Sequence, residues 1–95
     1  MPNRIDQKFA DLRTAGKKAL IAYISAGDPN LDATRELAWA FEKAGVDLLE
    51  LGVPFSDPLA DGIVNQLAAT RALEAGTTVR GVLDCVRQIR AQSQL

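Results

Sequence analysis

The chain has 95 residues, 47% apolar and 24% charged, the balance of an ordinary soluble globular protein that forms one domain or a piece of one. A formal net charge of −1, with no single-sign run longer than Lys17-Lys18, gives no long-range field for nucleic acid or anionic lipid. One cysteine and no histidine exclude an internal disulfide framework and argue against a zinc site. The N-terminus lacks the apolar core of a signal peptide, and no apolar stretch is long enough to span a bilayer. The expected location is a reducing cytoplasm.

Ile5, Phe9 and Leu12 share one helical face, which predicts a short amphipathic helix from Asn3 to about Ala15, with Gly16 as its C-cap. Ala19 to Ile24 is a short continuous apolar run, the pattern of a strand covered on both faces. Ser25-Ala-Gly-Asp-Pro-Asn30 is turn chemistry, and Asn30 is a good N-cap for the next helix. That helix carries Thr34, Leu37, Ala38, Phe41 and Ala44 on one stripe and stops near Gly45. Val46 to Leu51 reads as a second buried strand. After a long loop, Val64, Leu67, Ala68 and Ala72 predict a helix ending near Gly76. Thr77 or Thr78 caps a last helix, whose stripe is Val79, Val82, Leu83, Val86 and Ile89.

Buried strands alternating with helices imply an α/β fold with a parallel sheet. Two strands do not complete such a sheet, because a single pair leaves two open edges and an apolar face with little cover. A (β/α)₈ barrel takes roughly 250 residues. The expectation is one fragment spanning residues 1–95: about two of a barrel's eight units, with an N-terminal helix and an extra loop helix.

The run from Leu48 to Gly62 carries the candidate chemistry. Glu50 interrupts an apolar strand, where desolvation is expected to favour its proton-bearing form, as suits a general acid or base. The competing reading is a strand-end Glu paired to a basic group or reaching solvent. Asp61, on the adjoining loop, is either the second acid of a pair or an N-cap or Asx turn before the helix near Ile63. Ser56 and Asp57 are turn formers first, and Asp28 before Pro29 reads as structural. Tyr23 lines a barrel mouth or packs in the core. Cys85, beside the last stripe, reads as a packing residue with no base in view. Trp39 lies one step off its stripe, towards the flank or solvent, as a rim residue or an interface anchor.

Glu50-Leu-Gly-Val-Pro-Phe-Ser-Asp-Pro-Leu-Ala-Asp-Gly62 resembles the signature of the tryptophan synthase alpha chain family. Tyr23-Ile-Ser-Ala-Gly-Asp-Pro29, Ala44-Gly-Val-Asp47 and Arg71-Ala-Leu-Glu-Ala-Gly76 are similar to neighbouring segments of that family. The resemblance covers nearly the whole chain but only the first quarter to third of the family's (β/α)₈ TIM barrel. It implies a lyase that cleaves indole-3-glycerol phosphate to indole and glyceraldehyde 3-phosphate in tryptophan biosynthesis. It implies no cofactor in this chain, since pyridoxal phosphate belongs to the beta chain that receives the indole. Glu50 is implied as the acid/base, Asp61 as the partner of the indole N–H, and Tyr23 as the aromatic against the indole. The loop of Pro54, Phe55, Ser56 and Asp57 is implied to face the beta chain. Ile63-Val64-Asn65 departs from the family's common Pro-Thr-Ile, which alters the loop's junction with its helix and places an amide at the pocket. The family's phosphate site lies on later strands, outside these residues.

Two functions follow. In one, the chain is the amino-terminal part of the lyase and carries its acid pair, while the isolated 95-mer is inactive for want of the phosphate clamp. In the other, it is a non-catalytic barrel fragment that folds by self-association, with Trp39 or the strand edges as contacts.

Overall fold

A computed structural model describes residues 3–56 and 61–95. Its elements, in order, are α1 (Arg4–Thr14), β1 (Ile21–Ser25), α2 (Leu31–Ala44), β2 (Leu48–Gly52), α3 (Ile63–Glu74) and α4 (Val79–Gln92). This is the predicted sequence of elements. No helix among the described residues is long and apolar enough to cross a membrane.

Caps set the boundaries. The Asn3 side chain accepts from the Asp6 amide at 2.9 Å, and Asp6 reaches back to the Asn3 amide, a reciprocal capping box that starts α1. The Asn30 and Thr78 side chains accept from Ala33 and Gly81 and start α2 and α4, so Thr78, not Thr77, is the last cap. Gly45 ends α2 at φ 97°, and the amides of Gly45 and Val46 turn back to the carbonyls of Glu42 and Phe41. That motif uses the Val46 N–H, so β2 starts at Leu48 and not at Val46. The Leu20 N–H is likewise taken, by the Asp47 carboxylate at 2.8 Å, and β1 starts at Ile21, not Ala19.

β1 and β2 pair in parallel, from Ile21 beside Leu48 to Ser25 beside Gly52. Alternation gives this pair two faces. Ala22, Ile24, Leu49 and Leu51 form one, and Leu49 and Leu51 pack on a cluster of Ala38, Cys85 and Ile89 from α2 and α4. Ile21, Tyr23, Leu48 and Glu50 lie on the other, where Ile21 is 47% and Tyr23 45% exposed. The expected cover on both faces is therefore present on one. The continuous apolar run records two apolar faces, and the helices among the described residues pack on only the first.

Helix stripes are corrected the same way. Thr34 and Ala38 are buried and Phe41 is half-buried, while Leu37 and Ala44 are exposed. On α4 the buried seam is Val82, Cys85 and Ile89, with Val79, Leu83 and Val86 exposed. Cys85 is thus central to the seam, not beside it, and its Sγ contacts the Leu31 carbonyl at 3.7 Å. Desolvation pushes its thiol above the usual cysteine range. Trp39 occupies the flank as expected, but it is half-buried and engaged. Its indole N–H points to the Ile89 carbonyl at 3.5 Å, and the Arg35 guanidinium lies 5.8 Å from the ring centre. On α1, Ile5 and Phe9 are exposed and only Leu12 of the predicted face is half-buried.

Candidate active site

Tyr23 and Glu50 are register partners at the centre of the strand pair and project from its open face. β2 starts two residues later and ends one residue later than expected, which makes Glu50 the third of its five residues. Glu50 is also exposed. The apolar surroundings expected of Glu50 are not supplied by the described residues, because none of their elements covers its face.

Gly52 is a site residue that sequence reasoning passed over. A Cβ built there would meet the Tyr23 hydroxyl at 2.0 Å and its ring at 2.7 Å. Real Cβ contacts of that length do not occur, so the missing side chain is what lets Tyr23 lie across the end of β2. No sequence signal marked it, since Gly52 follows directly on the expected strand and ends the observed one.

The chain leaves β2 through Val53, Pro54, Phe55 and Ser56. Pro54 is half-buried, Ser56 is exposed, and Phe55 is 63% exposed. Asp57, the fourth residue implied for the partner-facing loop, lies outside the described residues. Asp61 is exposed just before α3. The alternative reading of Asp61 as N-cap does not hold. Gly62 is the N-cap and has no side-chain cap bond, while the Asp61 carbonyl accepts from Gln66 Nε2 at 2.7 Å. Of the implied departures, Ile63, Val64 and Asn65 form the first turn of α3 and are all exposed.

The turn after β1 is a built junction. The buried Thr34 hydroxyl accepts from the Gly27 amide at 2.9 Å and donates to the Asn30 carbonyl at 3.2 Å. Gly27 has φ 91°, and a Cβ there would lie 2.0 Å from Thr77 Oγ1. Asp28 receives both Nε and Nη2 of Arg71, at 2.8 and 2.9 Å. These charge-assisted bonds hold its carboxyl below the usual carboxylate range. Asp28 is thus structural, as its Asp-Pro context implied. Its partner, 43 residues away, was not legible from either residue alone.

A cleft of about 370 Å³ lies elsewhere, between α1 and the start of β2, lined by Ile5, Lys8, Asp47, Leu48 and Leu95. It opens at the N-terminal ends of the strands. In parallel α/β folds catalytic groups gather at the C-terminal ends, so the open face with Tyr23, Glu50 and Gly52 remains the candidate site.

The family model of the tryptophan synthase alpha chain matches residues 9–95. The chain is 50% identical over 93 residues to the tryptophan synthase alpha chain of Caldanaerobacter subterraneus, covering 98% of this chain and 36% of that protein. It is 56% identical over 90 residues to the alpha chain of Alkalilimnicola ehrlichii, covering 95% of this chain and 33% of the relative. Its structure matches the crystal structure of tryptophan synthase subunit alpha from Legionella pneumophila with a TM-score of 0.95 at 45% identity. That match covers 98% of this chain and 36% of the other. The chain therefore spans about a third of the length of the relatives it matches, and its two strand–helix units form part of an α/β barrel. With the match extending over all but the first helical turns, the chain belongs to the tryptophan synthase alpha chain family.

Proposed function

We propose that these residues supply the acid/base, the carboxylate that holds the indole N–H, and one wall of the indole pocket in a tryptophan synthase alpha reaction. The substrate is indole-3-glycerol phosphate and the products are indole and glyceraldehyde 3-phosphate. The observation that supports it best is the pairing of Glu50 with Tyr23 on one face, next to a glycine that admits the tyrosine ring. Carbon–carbon cleavage of this kind needs a proton delivered to the indole ring carbon and a hydroxyl proton removed from the glycerol chain. The bond between ring and chain then breaks, and its electrons return to the ring as the aldehyde forms. Glu50 is assigned the proton transfers. Asp61 is assigned the indole N–H, where its negative charge stabilises the cationic ring intermediate. Tyr23 packs against the indole.

Residues 1–95 act in this reading as a single unit of the barrel, in the cytoplasm. The segment from Pro54 to Asp57 faces a beta chain, which holds the pyridoxal phosphate and takes the indole; this chain needs no cofactor of its own. As an isolated 95-residue polypeptide it is inactive. Glu50 is exposed and Tyr23 45% exposed, so water competes for every polar contact. The substrate's phosphate also has no clamp here to lend binding energy to the reacting centre. An indole-release assay tests both parts. Turnover by the isolated chain that vanishes with Glu50→Gln overturns the inactivity. Within a full-length alpha subunit carrying this segment, Glu50→Gln is expected to lower kcat by at least about a hundredfold, and an unchanged kcat removes Glu50 from the mechanism.

A second reading, from another class, is a non-catalytic barrel unit that self-associates. The exposure of Ile21 and Tyr23 on the open face, and of Val53 and Phe55 after β2, supports it. Analytical ultracentrifugation tests it: sedimentation as a monomer at all concentrations removes it.

A further inference from the structure

We propose that Asp28 and Arg71 are positioning residues that hold α3, and through it Asp61, against the turn at the end of β1. The inference rests on reading Asp61 as a site residue, and its test uses no catalytic readout.

α3 has little else to fix it. The side chains it buries are Ala68, Ala69 and Ala72, all small, while Ile63 (66%), Val64 (73%) and Leu67 are exposed. Its N-cap is Gly62, without a side-chain bond. Small-residue contacts let a helix approach closely but resist sliding and rotation poorly, since few side chains interdigitate. A bidentate arginine–carboxylate pair supplies the missing direction, because the planar fork accepts only one orientation of its partner.

The pair acts from a firm base. Asp28 follows Gly27, whose amide is tied to buried Thr34 of α2 and whose Cα abuts Thr77 just after α3. The turn therefore grips α3 at Arg71 and its exit at Thr77. From Arg71 the helix runs back to Gln66, whose side-chain amide donates to the Asp61 carbonyl at 2.7 Å. The path from Asp28 to Asp61 thus runs through the Arg71 pair, the backbone of α3 and the bond from Gln66 to the Asp61 carbonyl.

Residue-resolved amide hydrogen exchange and NMR on the 95-residue chain test this. Asp28→Asn and Arg71→Gln are each expected to speed exchange in the interior of α3 by about tenfold relative to α4. The double variant is expected to be no faster than either single one. The Gln66 side-chain amide resonance is expected to shift in both single variants and to return part of the way in Arg71→Lys, which keeps the charge but not the fork. Equal acceleration in α3 and α4, unchanged exchange in α3, a multiplicative double variant, or an unmoved Gln66 resonance would each overturn the proposal. If Asp28→Asn does not fold, Arg71→Gln and Arg71→Lys decide by the same criteria, since Arg71 is 55% exposed and its replacement opens no core cavity. Loss of Glu50's catalytic role would leave every one of these results unaffected.

Discussion

At Gly52 the absence of one methyl group decides where an aromatic ring goes. Gly52→Ala would place Cβ 2.0 Å from the Tyr23 hydroxyl, so the ring must leave its position across β2. Tyr23 is 45% exposed and its ring end can swing aside, so the expected cost is below about 1 kcal/mol, with large shifts of the Tyr23 ring protons by NMR. Tyr23 is the chain's only tyrosine, so the signal is unambiguous. Unmoved ring resonances in that variant would show that the close approach is not what holds the ring. Gly27→Ala is expected to cost more, because it adds a left-handed backbone at φ 91° to a clash with the buried Thr77. A loss of at least about 2 kcal/mol in urea unfolding is anticipated. Neither effect was readable in advance: both glycines looked like ordinary turn or strand-end residues until their neighbours across the fold were known.

At the scale of elements, polar side chains near strand and helix ends do what apolar stripes alone do not. Asp47 accepts from the Leu20 amide at 2.8 Å and lies 3.8 Å from Lys8, binding the start of β1 to the start of β2 and to α1. Asp47→Ala leaves that amide without its partner, and a loss of about 1–2 kcal/mol is expected, measured by denaturant unfolding. Asp28 links β1 to α3 and gives the link a pH dependence. Arg71 lowers its carboxyl below the unfolded value, so the contribution is present above about pH 3.9 and is lost as pH falls through the folded value. The thermal midpoint of the wild type is thus expected to fall more steeply below about pH 4 than that of Asp28→Asn. Parallel acid profiles would show that the pair contributes nothing. Element order and all four helices were legible because caps and periodicity are local signals, as with Asn3, Asn30 and Gly45. Strand starts were missed because the amides of Val46 and Leu20 are claimed by a helix end and by a distant carboxylate.

Among the described residues as a whole, the helices cover one face of the strand pair and leave the other open. The sequence carried the identity of that open face, since Glu50 and the loop after it resemble the family's signature. It did not carry the environment of Glu50, which depends on what lies opposite the face. Ile21 and Tyr23 are exposed there, at 47 and 45%, and Val53 and Phe55 are exposed in the segment that follows β2. A patch of this kind beside two unpaired strand edges favours association. The formal charge of −1 does little to oppose it. Trp39 is a poor contact in such an assembly, because its indole is already engaged with Ile89 and Arg35. The sheet face is the better one, and substitutions separate the two. Ile21→Lys puts a charge on the open face without touching the buried cluster, and is expected to raise the dimer dissociation constant by at least about tenfold, equivalent to about 1.4 kcal/mol. Trp39→Phe keeps the ring's bulk and is expected to leave that constant within about twofold. Sedimentation velocity across a concentration series measures both. The reverse ranking would move the interface from the sheet to the α2–α4 flank, and the open face with Tyr23 and Glu50 would then stand free in the assembly.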